Sequence, residues 1–256
     1  VCKKATKKKM TNDSKVSDAW FTAVAAGDLV VTNQMLRKYG SDVMNLRREP
    51  RNCTALHLAA YYRKVEIVKV LIQNGTDVNA VEQNKQTALQ YAAAFGHADV
   101  AKVLLQNSDA DVDYSYFASH EEKNVSALYM ATTRGHVDVM KVLLQNGACV
   151  NTVHVMNCSL LHLASINNDV AAVKLLIDHG ADVDALNSTS STPLNVATSE
   201  GNVDVVKILL QNNANFSNKN SDGLTALQVA KMGRTAGHKK VVKLIRVHMA
   251  NKRRKS

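Results

Sequence analysis

Apolar and polar positions recur along this chain with a period close to 33 residues. Each period contains two apolar blocks. In the second block, for example at 65–72 and 203–210, apolar residues fall at i, i+3, i+4 and i+7, the spacing of one helix face. The first block opens with a small hydroxyl residue, which is typical of a helix N-cap. The pattern therefore predicts two short helices per period, followed by an extended connector.

The first block is repeated in six recognisable copies. Their central leucines are separated by 33, 39, 33, 33 and 33 residues. The copies are TALHLA at 54–59, TALQYA at 87–92, SALYMA at 126–131, SLLHLA at 159–164, TPLNVA at 192–197 and TALQVA at 225–230. A unit this short buries its apolar face only against neighbouring copies, so the period predicts a stacked array with one continuous core.

These blocks resemble the ankyrin repeat, whose signature is T-P-L-H-x-A at a period of 33. The resemblance extends over roughly 17–247 and includes a divergent first copy, in which Trp20 takes the place of the leucine. It implies an all-α ankyrin-repeat solenoid of about seven helix–turn–helix repeats with short β-hairpin connectors. The implied repeats lie near 17–49, 50–82, 83–121, 122–154, 155–187, 188–220 and 221–247.

The chain contains no motif that predicts catalysis. It has no phosphate-binding glycine loop, no HExxH and no GxSxG, and its histidines fall at positions set by the repeat. In particular, the resemblance assigns His57 and His162 to hydrogen bonds between neighbouring turns. We therefore expect a protein that is not an enzyme, with no cofactor, no metal site and no small-molecule substrate.

Targeting signals and cysteines bear on localisation. No apolar run approaches the length of a membrane span, and the Lys-rich start lacks the apolar segment of a signal peptide. The four cysteines form no CxxC motif, which favours reduced thiols. These features predict a cytoplasmic or nuclear protein, and we expect it to be a monomer.

Positive charge is concentrated at the two ends of the chain. Residues 1–16 carry six Lys and one Asp, and residues 231–256 carry ten Lys or Arg and no acidic residue, whereas the body between them is mildly acidic. We expect 1–16 to be a basic disordered segment and 248–256 a basic tail that contains Lys252, Arg253, Arg254 and Lys255. The basic ends favour either a solubilising cap or an active role, namely a nuclear-import signal or contact with nucleic acid or an anionic membrane.

The resemblance also implies where a partner would bind. In ankyrin arrays the variable residues of the concave groove lie five and six places after the motif leucine and on the hairpin tips before it. The groove residues carried over to this chain are Tyr61, Tyr62, Phe95, Arg134, Met156 and Ile166. Tyr and Arg are enriched in interface hot spots, although the aromatic side chains could instead fill contacts within the repeats.

The 39-residue step places a six-residue insertion between the third and fourth repeats. Tyr114, Tyr116 and Phe117 lie in this segment. The insertion is predicted either to extend as a finger that contacts a partner or to fold its aromatic residues back onto the neighbouring repeats.

Together these features predict a non-catalytic scaffold that binds a partner protein or peptide in the concave groove. Two alternatives remain open at this point. One is association with nucleic acid or an anionic membrane through the basic ends, and the other is that the chain is the regulatory array of a larger protein.

Overall fold

The computed structural model describes residues 14–106, 109–116 and 125–254, and helices dominate them. The first helices are α1 (Ser14–Ala26), α2 (Leu29–Tyr39), α3 (Ser41–Met44), α4 (Ala55–Tyr61), α5 (Val65–Gln73), α6 (Ala88–Ala94) and α7 (Ala98–Gln106). A two-stranded antiparallel ladder follows, with β1 at Ser115–Tyr116 and β2 at Val125–Ser126. The later helices are α8 (Ala127–Thr133), α9 (Val137–Gln145), α10 (Leu160–Ile166), α11 (Val170–Asp178), α12 (Pro193–Glu200), α13 (Val203–Gln211), α14 (Ala226–Met232) and α15 (Ala236–Arg253).

These elements form two compact units. The first unit runs to Ala92 and also includes Asp99–Asp111, and in it α4 packs on α1 and α5 packs on α2. The second unit comprises Ala93–Ala98 and the chain from Val112 onward. There α8, α10, α12 and α14 stack in one layer, and α9, α11, α13 and α15 stack in the other. The predicted all-α array of helix–turn–helix repeats is thus confirmed.

The motif residues form the core of both units. Trp20 and Leu194 are completely buried, and the motif leucines at 56, 89, 128 and 161 are almost so. Small residues such as Ala59 and Ala131 are also fully buried, which lets successive helices approach closely. The hydroxyl residue ahead of most blocks acts as the predicted N-cap: for example, Thr192 accepts a hydrogen bond from the backbone N–H of Asn195 at 3.2 Å.

The connectors contain short antiparallel pairings at the bases of the predicted hairpins. Isolated bridges join Arg48 to Cys53, Val153 to Ser159 and Lys219 to Thr225. The limits of the repeats and of the terminal segments stay a prediction. Helix α15 continues through Arg253, past the limit expected at residue 247, and residues 1–13 lie outside the described part.

Candidate binding surface

A left-handed residue ends the turn after the first helix of most repeats. It lies seven places after the motif residue, with φ of 82° at Gly27, 55° at Arg63, 74° at Gly96, 71° at Gly135, 55° at Asn168 and 73° at Gly201. The two residues before it are the groove positions carried over from the resemblance. A common local geometry therefore places these positions at the same point of successive repeats, where a helix ends.

The predicted groove residues are exposed at these points. The exposed fraction is 37% for Tyr61, 45% for Tyr62, 41% for Phe95 and 43% for Ile166. Arg134 is exposed as well. Large apolar side chains at such a degree of exposure indicate an interaction site when they form a patch.

In the first unit, Tyr61 belongs to an aromatic cluster. Its ring meets that of Tyr62 edge-on at 4.8 Å between centroids, and that of Tyr91 at 6.2 Å. Tyr91 in turn meets the imidazole of His57 at 5.6 Å. The cluster combines both roles considered above, since Tyr61 fills contacts inside the unit and also keeps part of its surface open to a partner.

A cleft of about 380 Å³ opens beside this cluster. Tyr61, Tyr62 and Tyr91 form one side of the cleft, and the preceding hairpin contributes Arg48, Glu49 and Arg51. The cleft therefore combines apolar aromatic surface with two guanidinium groups, all within the first unit.

Burial keeps the inner groups of the cleft neutral at neutral pH. It raises the pKa of Tyr91 to about 12 and also raises the pKa of the Cys53 thiol above its usual value of 9.0. A side-chain hydrogen bond with Tyr91 is the main cause of a raised Arg51 pKa. The cleft thus presents cations at its edge and a protonated phenol inside, an arrangement that favours anionic groups.

In the second unit, Phe95 and Arg134 form a pair. The Arg134 guanidinium lies over the Phe95 ring, 5.7 Å from its centroid, and donates a hydrogen bond to the Ala94 carbonyl at 3.0 Å. The Ala94 carbonyl also accepts a hydrogen bond from His136 Nε2 at 3.2 Å. These bonds hold Arg134 beside Phe95, so that the two residues the sequence predicted separately form one exposed feature.

Met156 lies at a hairpin tip in the second unit and is 63% exposed. Both Met156 and Asn157 have positive φ, at 55° and 58°. The backbone N–H of Ser188 donates to the Met156 carbonyl at 2.8 Å, and the Asn157 amide donates to the Leu186 carbonyl at 3.1 Å. The next hairpin thus fixes this tip while the methionine side chain faces solvent.

The inserted segment is described only in part. Tyr116 is 9% exposed and lies on β1, where it pairs with Val125 on β2. Its burial fits the alternative in which it packs onto the protein, and its contact with a partner stays a prediction. Tyr114 is partly buried, and burial raises its pKa. Phe117 lies outside the described residues.

The basic residues near the C-terminus continue along α15. Lys239, Lys240, Lys243 and Arg246 are exposed, and so are Lys252 and Arg254. Lys252 also lies over the Phe216 ring, 5.3 Å from its centroid. Arg253 belongs to the helix, and Lys255 lies outside the described residues.

His57 and His162 have the structural role implied by the resemblance. The backbone N–H of Thr54 donates to His57 Nδ1 at 3.3 Å, so the proton lies on Nε2, which donates to the Gln86 carbonyl at 2.8 Å. His162 does the same with Ser159 and the Ser191 carbonyl. Burial lowers the pKa of both imidazoles. Each histidine thus joins its own helix cap to the next hairpin.

The cleft residues Arg48, Glu49 and Tyr91 were not among the predicted site residues. A weak signal for them exists in the sequence: the run Arg47-Arg48-Glu49-Pro50-Arg51 is locally basic, and Tyr91 stands where other copies carry an aliphatic side chain. Their proximity depends on how two repeats pack, which the sequence pattern does not specify.

The described residues include no group of His, Cys, Asp and Glu side chains suited to hold a metal ion. Within the same ranges, no helix is both long enough and apolar enough to cross a membrane.

Comparisons with known proteins agree with the repeat pattern. The family model described as ankyrin repeats (3 copies) matches residues 20–116, 114–187 and 161–256. The ankyrin repeat domain of Bcl-3, described as a unique member of the IkappaB protein family, is 25% identical with a TM-score of 0.77, over 89% of this chain and 97% of that one. The human ASB11 ankyrin repeat domain is 27% identical with a TM-score of 0.74, over 88% of this chain and 96% of that one. No curated protein sequence matches the chain.

Proposed function

Because this chain belongs to the ankyrin-repeat family, we propose that it is a non-catalytic scaffold that binds a partner protein or peptide in its concave groove. Ankyrin-repeat domains are generally interaction modules without catalytic activity, and the ankyrin repeat domains of Bcl-3 and ASB11 are two similar structures of this kind. Protein partners in general follow from this family. The groove assignment and the absence of enzyme activity are our proposal.

The observation that supports the groove most is the repeated exposure of large side chains at one position of the fold. Tyr61 and Tyr62 in the first unit, and Phe95 with Arg134 in the second, all lie at or directly after the C-terminal end of a first helix. Aromatic side chains lose little conformational entropy on binding, and aromatic and arginine side chains commonly dominate interface energies.

Affinity capture with a double variant tests this function. In Tyr61→Ala/Phe95→Ala, both exposed aromatic rings are removed, and their partly exposed positions limit the loss of core packing. We expect this variant to lose the partners that the unmodified chain captures from lysate, and quantitative mass spectrometry measures the loss. The circular dichroism spectrum is expected to stay nearly unchanged, and the thermal midpoint to fall only slightly through the lost contacts of Tyr61 with Tyr62 and Tyr91.

A matched control is Val30→Ala/Val247→Ala, which removes two apolar side chains that are 66% and 51% exposed but lie away from the proposed groove positions. This variant is expected to capture the same partners as the unmodified chain. Capture that survives in the Tyr61→Ala/Phe95→Ala variant would disprove the groove assignment.

A second candidate function rests on the exposed basic residues of α15, which could hold nucleic acid or an anionic membrane. Lys239, Lys243 and Arg246 follow each other at spacings of four and three, so they share one helix face. All three are exposed. A cluster of this kind binds anionic surfaces with an affinity that falls as salt rises.

The test replaces Lys239, Lys243 and Arg246 by Gln and measures binding to a DNA duplex and, separately, to phosphatidylserine vesicles. Lys102→Gln/Lys141→Gln/Lys174→Gln makes the same change in net charge elsewhere. The hypothesis predicts that only the α15 variant loses affinity and that its salt slope is smaller by about 2–3. Equal losses in the two variants would show a general effect of net charge and contradict it.

Substitution is a better test than deletion of 248–256 here. Deletion would shorten α15, which continues through Arg253, and would remove His248 and Lys252 from the Phe216 ring. A loss of binding after deletion would therefore combine lost charge with lost structure.

A further inference from the structure

We propose that the cleft beside Tyr61, Tyr62 and Tyr91 binds an acidic residue of an extended partner segment, together with a bulky apolar side chain next to it. This inference rests on the proposed function, since it names the chemistry of the partner at one part of the groove. It concerns the first unit alone, and it assigns Arg48 and Arg51 as the groups that recognise the acidic residue.

The hairpin holds the backbone of both arginines in place. The Arg48 N–H donates to the Cys53 carbonyl at 2.8 Å, and the Cys53 N–H donates back to the Arg48 carbonyl at 3.0 Å. The Arg51 carbonyl accepts from the N–H of Gln83 in the following hairpin at 2.8 Å. Backbone positioning of this kind lowers the entropy that would be lost when the hairpin binds a partner.

The side chains that line the cleft include two cations and one anion. Both arginines are exposed at the edge, and Glu49 is the acidic residue that lines the cleft. Glu82 lies behind, where its carboxylate is buried and accepts backbone N–H groups of Asn84 at 2.8 Å and Gln86 at 3.1 Å. Two guanidinium groups and a protonated phenol in the same cleft suit a carboxylate, which accepts several hydrogen bonds.

The aromatic side of the cleft selects the neighbour of the acidic residue. The edge-on pair of Tyr61 and Tyr62 presents two partly exposed rings. A volume of about 380 Å³ is at the lower end of the range of about 300–1,000 Å³ for ligand pockets. The cleft therefore accommodates one or two side chains of a peptide, with an aromatic or aliphatic group packed on the tyrosines.

The test selects 12-residue peptides from a random display library on the full chain and measures the affinity of the recovered peptides by fluorescence polarisation. We expect peptides with Asp or Glu next to an aromatic or large aliphatic residue. Their affinity is expected to fall about tenfold or more in Arg51→Gln and in Arg48→Gln, and to weaken as salt rises.

Arg47→Gln is the matched control. Arg47 belongs to the same basic run, but its guanidinium donates to the Val81 carbonyl at 3.1 Å, and it is not among the residues that line the cleft. Its substitution is expected to change affinity less than about twofold. Because Arg51 also makes a side-chain hydrogen bond with Tyr91, its substitution could disturb the fold. Thermal unfolding of all three variants checks that misfolding does not cause the loss of affinity.

The inference is overturned if the recovered peptides lack acidic residues or if Arg48→Gln binds them as tightly as Arg47→Gln does. If these peptides nevertheless lose affinity in Tyr61→Ala, the groove function stands and only the charge assignment fails. If no peptide is selected, or if selected peptides are indifferent to Tyr61→Ala as well, both the inference and its premise fail at this cleft.

Discussion

Four places before the motif leucine, the backbone is left-handed in each copy for which the structure describes this residue. The φ values are 56° at Asn52, 62° at Lys85, 58° at Asn157, 53° at Ser190 and 72° at Gly223. Glycine adopts this conformation without steric cost, whereas a Cβ disfavours it. The copies that carry another residue in place of glycine thus keep the same hairpin geometry, at the cost of a small backbone strain.

Two substitutions at this position should affect stability differently. Gly223→Ala is expected to lower the free energy of unfolding by about 1 kcal/mol, because its new Cβ meets no neighbouring atom and only the positive φ opposes it. Ser190→Gly should be neutral or raise stability by up to about 1 kcal/mol, since relief of strain is partly offset by the flexibility of glycine in the unfolded chain. Urea unfolding gives the free energy of unfolding of both variants. A decrease of equal size in the two would contradict this account.

The two buried histidines predict a pH dependence of stability. Burial lowers the pKa of His57 and of His162 in the folded state, below the ordinary value of 6.5. As pH falls below about 6.5, the unfolded chain takes up protons before the folded one, so stability falls toward acid. In His57→Gln/His162→Gln, unfolding free energies measured between pH 7 and pH 5 should fall less steeply with decreasing pH than in the unmodified chain.

Glutamine is the suitable replacement because this fold already uses it at the same place. Gln90 Oε1 accepts the backbone N–H of Thr87 at 3.0 Å, and Gln228 Oε1 accepts that of Thr225 at 2.9 Å. The helix cap should therefore survive in the variant, while each lost bond to the next hairpin costs about 0.5–1.5 kcal/mol at neutral pH. An unchanged pH profile would show that other groups cause the acid sensitivity.

At the scale of elements, the last helix pair shows how the fold absorbs a departure from the repeat. Here the second block starts three residues late in the sequence. Thr235 caps α15, and His238 Nε2 donates to the Ser199 carbonyl at 2.8 Å. In a more regular copy, His136 makes the equivalent bond to the Ala94 carbonyl. The late start thus shifts the histidine along the chain but keeps its bond to the preceding repeat.

This close approach predicts a strong effect at Gly237. A Cβ at this position would lie 2.5 Å from the Gly201 carbonyl oxygen, so Gly237→Ala must displace backbone. We expect a loss of about 1–3 kcal/mol in the free energy of unfolding. Lys243→Ala, on the exposed face of the same helix, should change stability by less than about 0.5 kcal/mol. Chemical unfolding compares them, and a Gly237→Ala variant as stable as Lys243→Ala would contradict the close contact.

The helices and their caps were predictable because the period fixes which residues are apolar and which hydroxyl precedes each helix. The extension of α15 through Arg253 was not, since the repeat imposes no pattern beyond its last copy. The burial of Tyr116 was also open, because an inserted aromatic residue can pack on the protein or on a partner with the same sequence. Helix pairs, in short, follow from local pattern, and insertions depend on tertiary packing.

At the scale of the whole molecule, the candidate site was predictable in outline. The exposed positions of Tyr61, Tyr62, Phe95 and Ile166 follow from the repeat register, because each lies at or directly after a helix end. The cleft did not follow from it, since Tyr91 and the Arg48–Arg51 hairpin come from separate parts of the chain. The charge distribution was also predictable only in part. The basic ends are evident in the sequence, whereas the shared face of Lys239, Lys243 and Arg246 is recognised only once α15 is known to be a helix there.

Photo-cross-linking tests the proposed groove most directly. A benzophenone amino acid is placed in turn at Tyr62, Phe95, Val30 and Val247, and each variant is irradiated with a captured and purified partner. We predict covalent adducts from the positions of Tyr62 and Phe95 and none from those of Val30 and Val247. Adducts from Val30 or Val247, without any from Tyr62 and Phe95, would contradict binding through the groove.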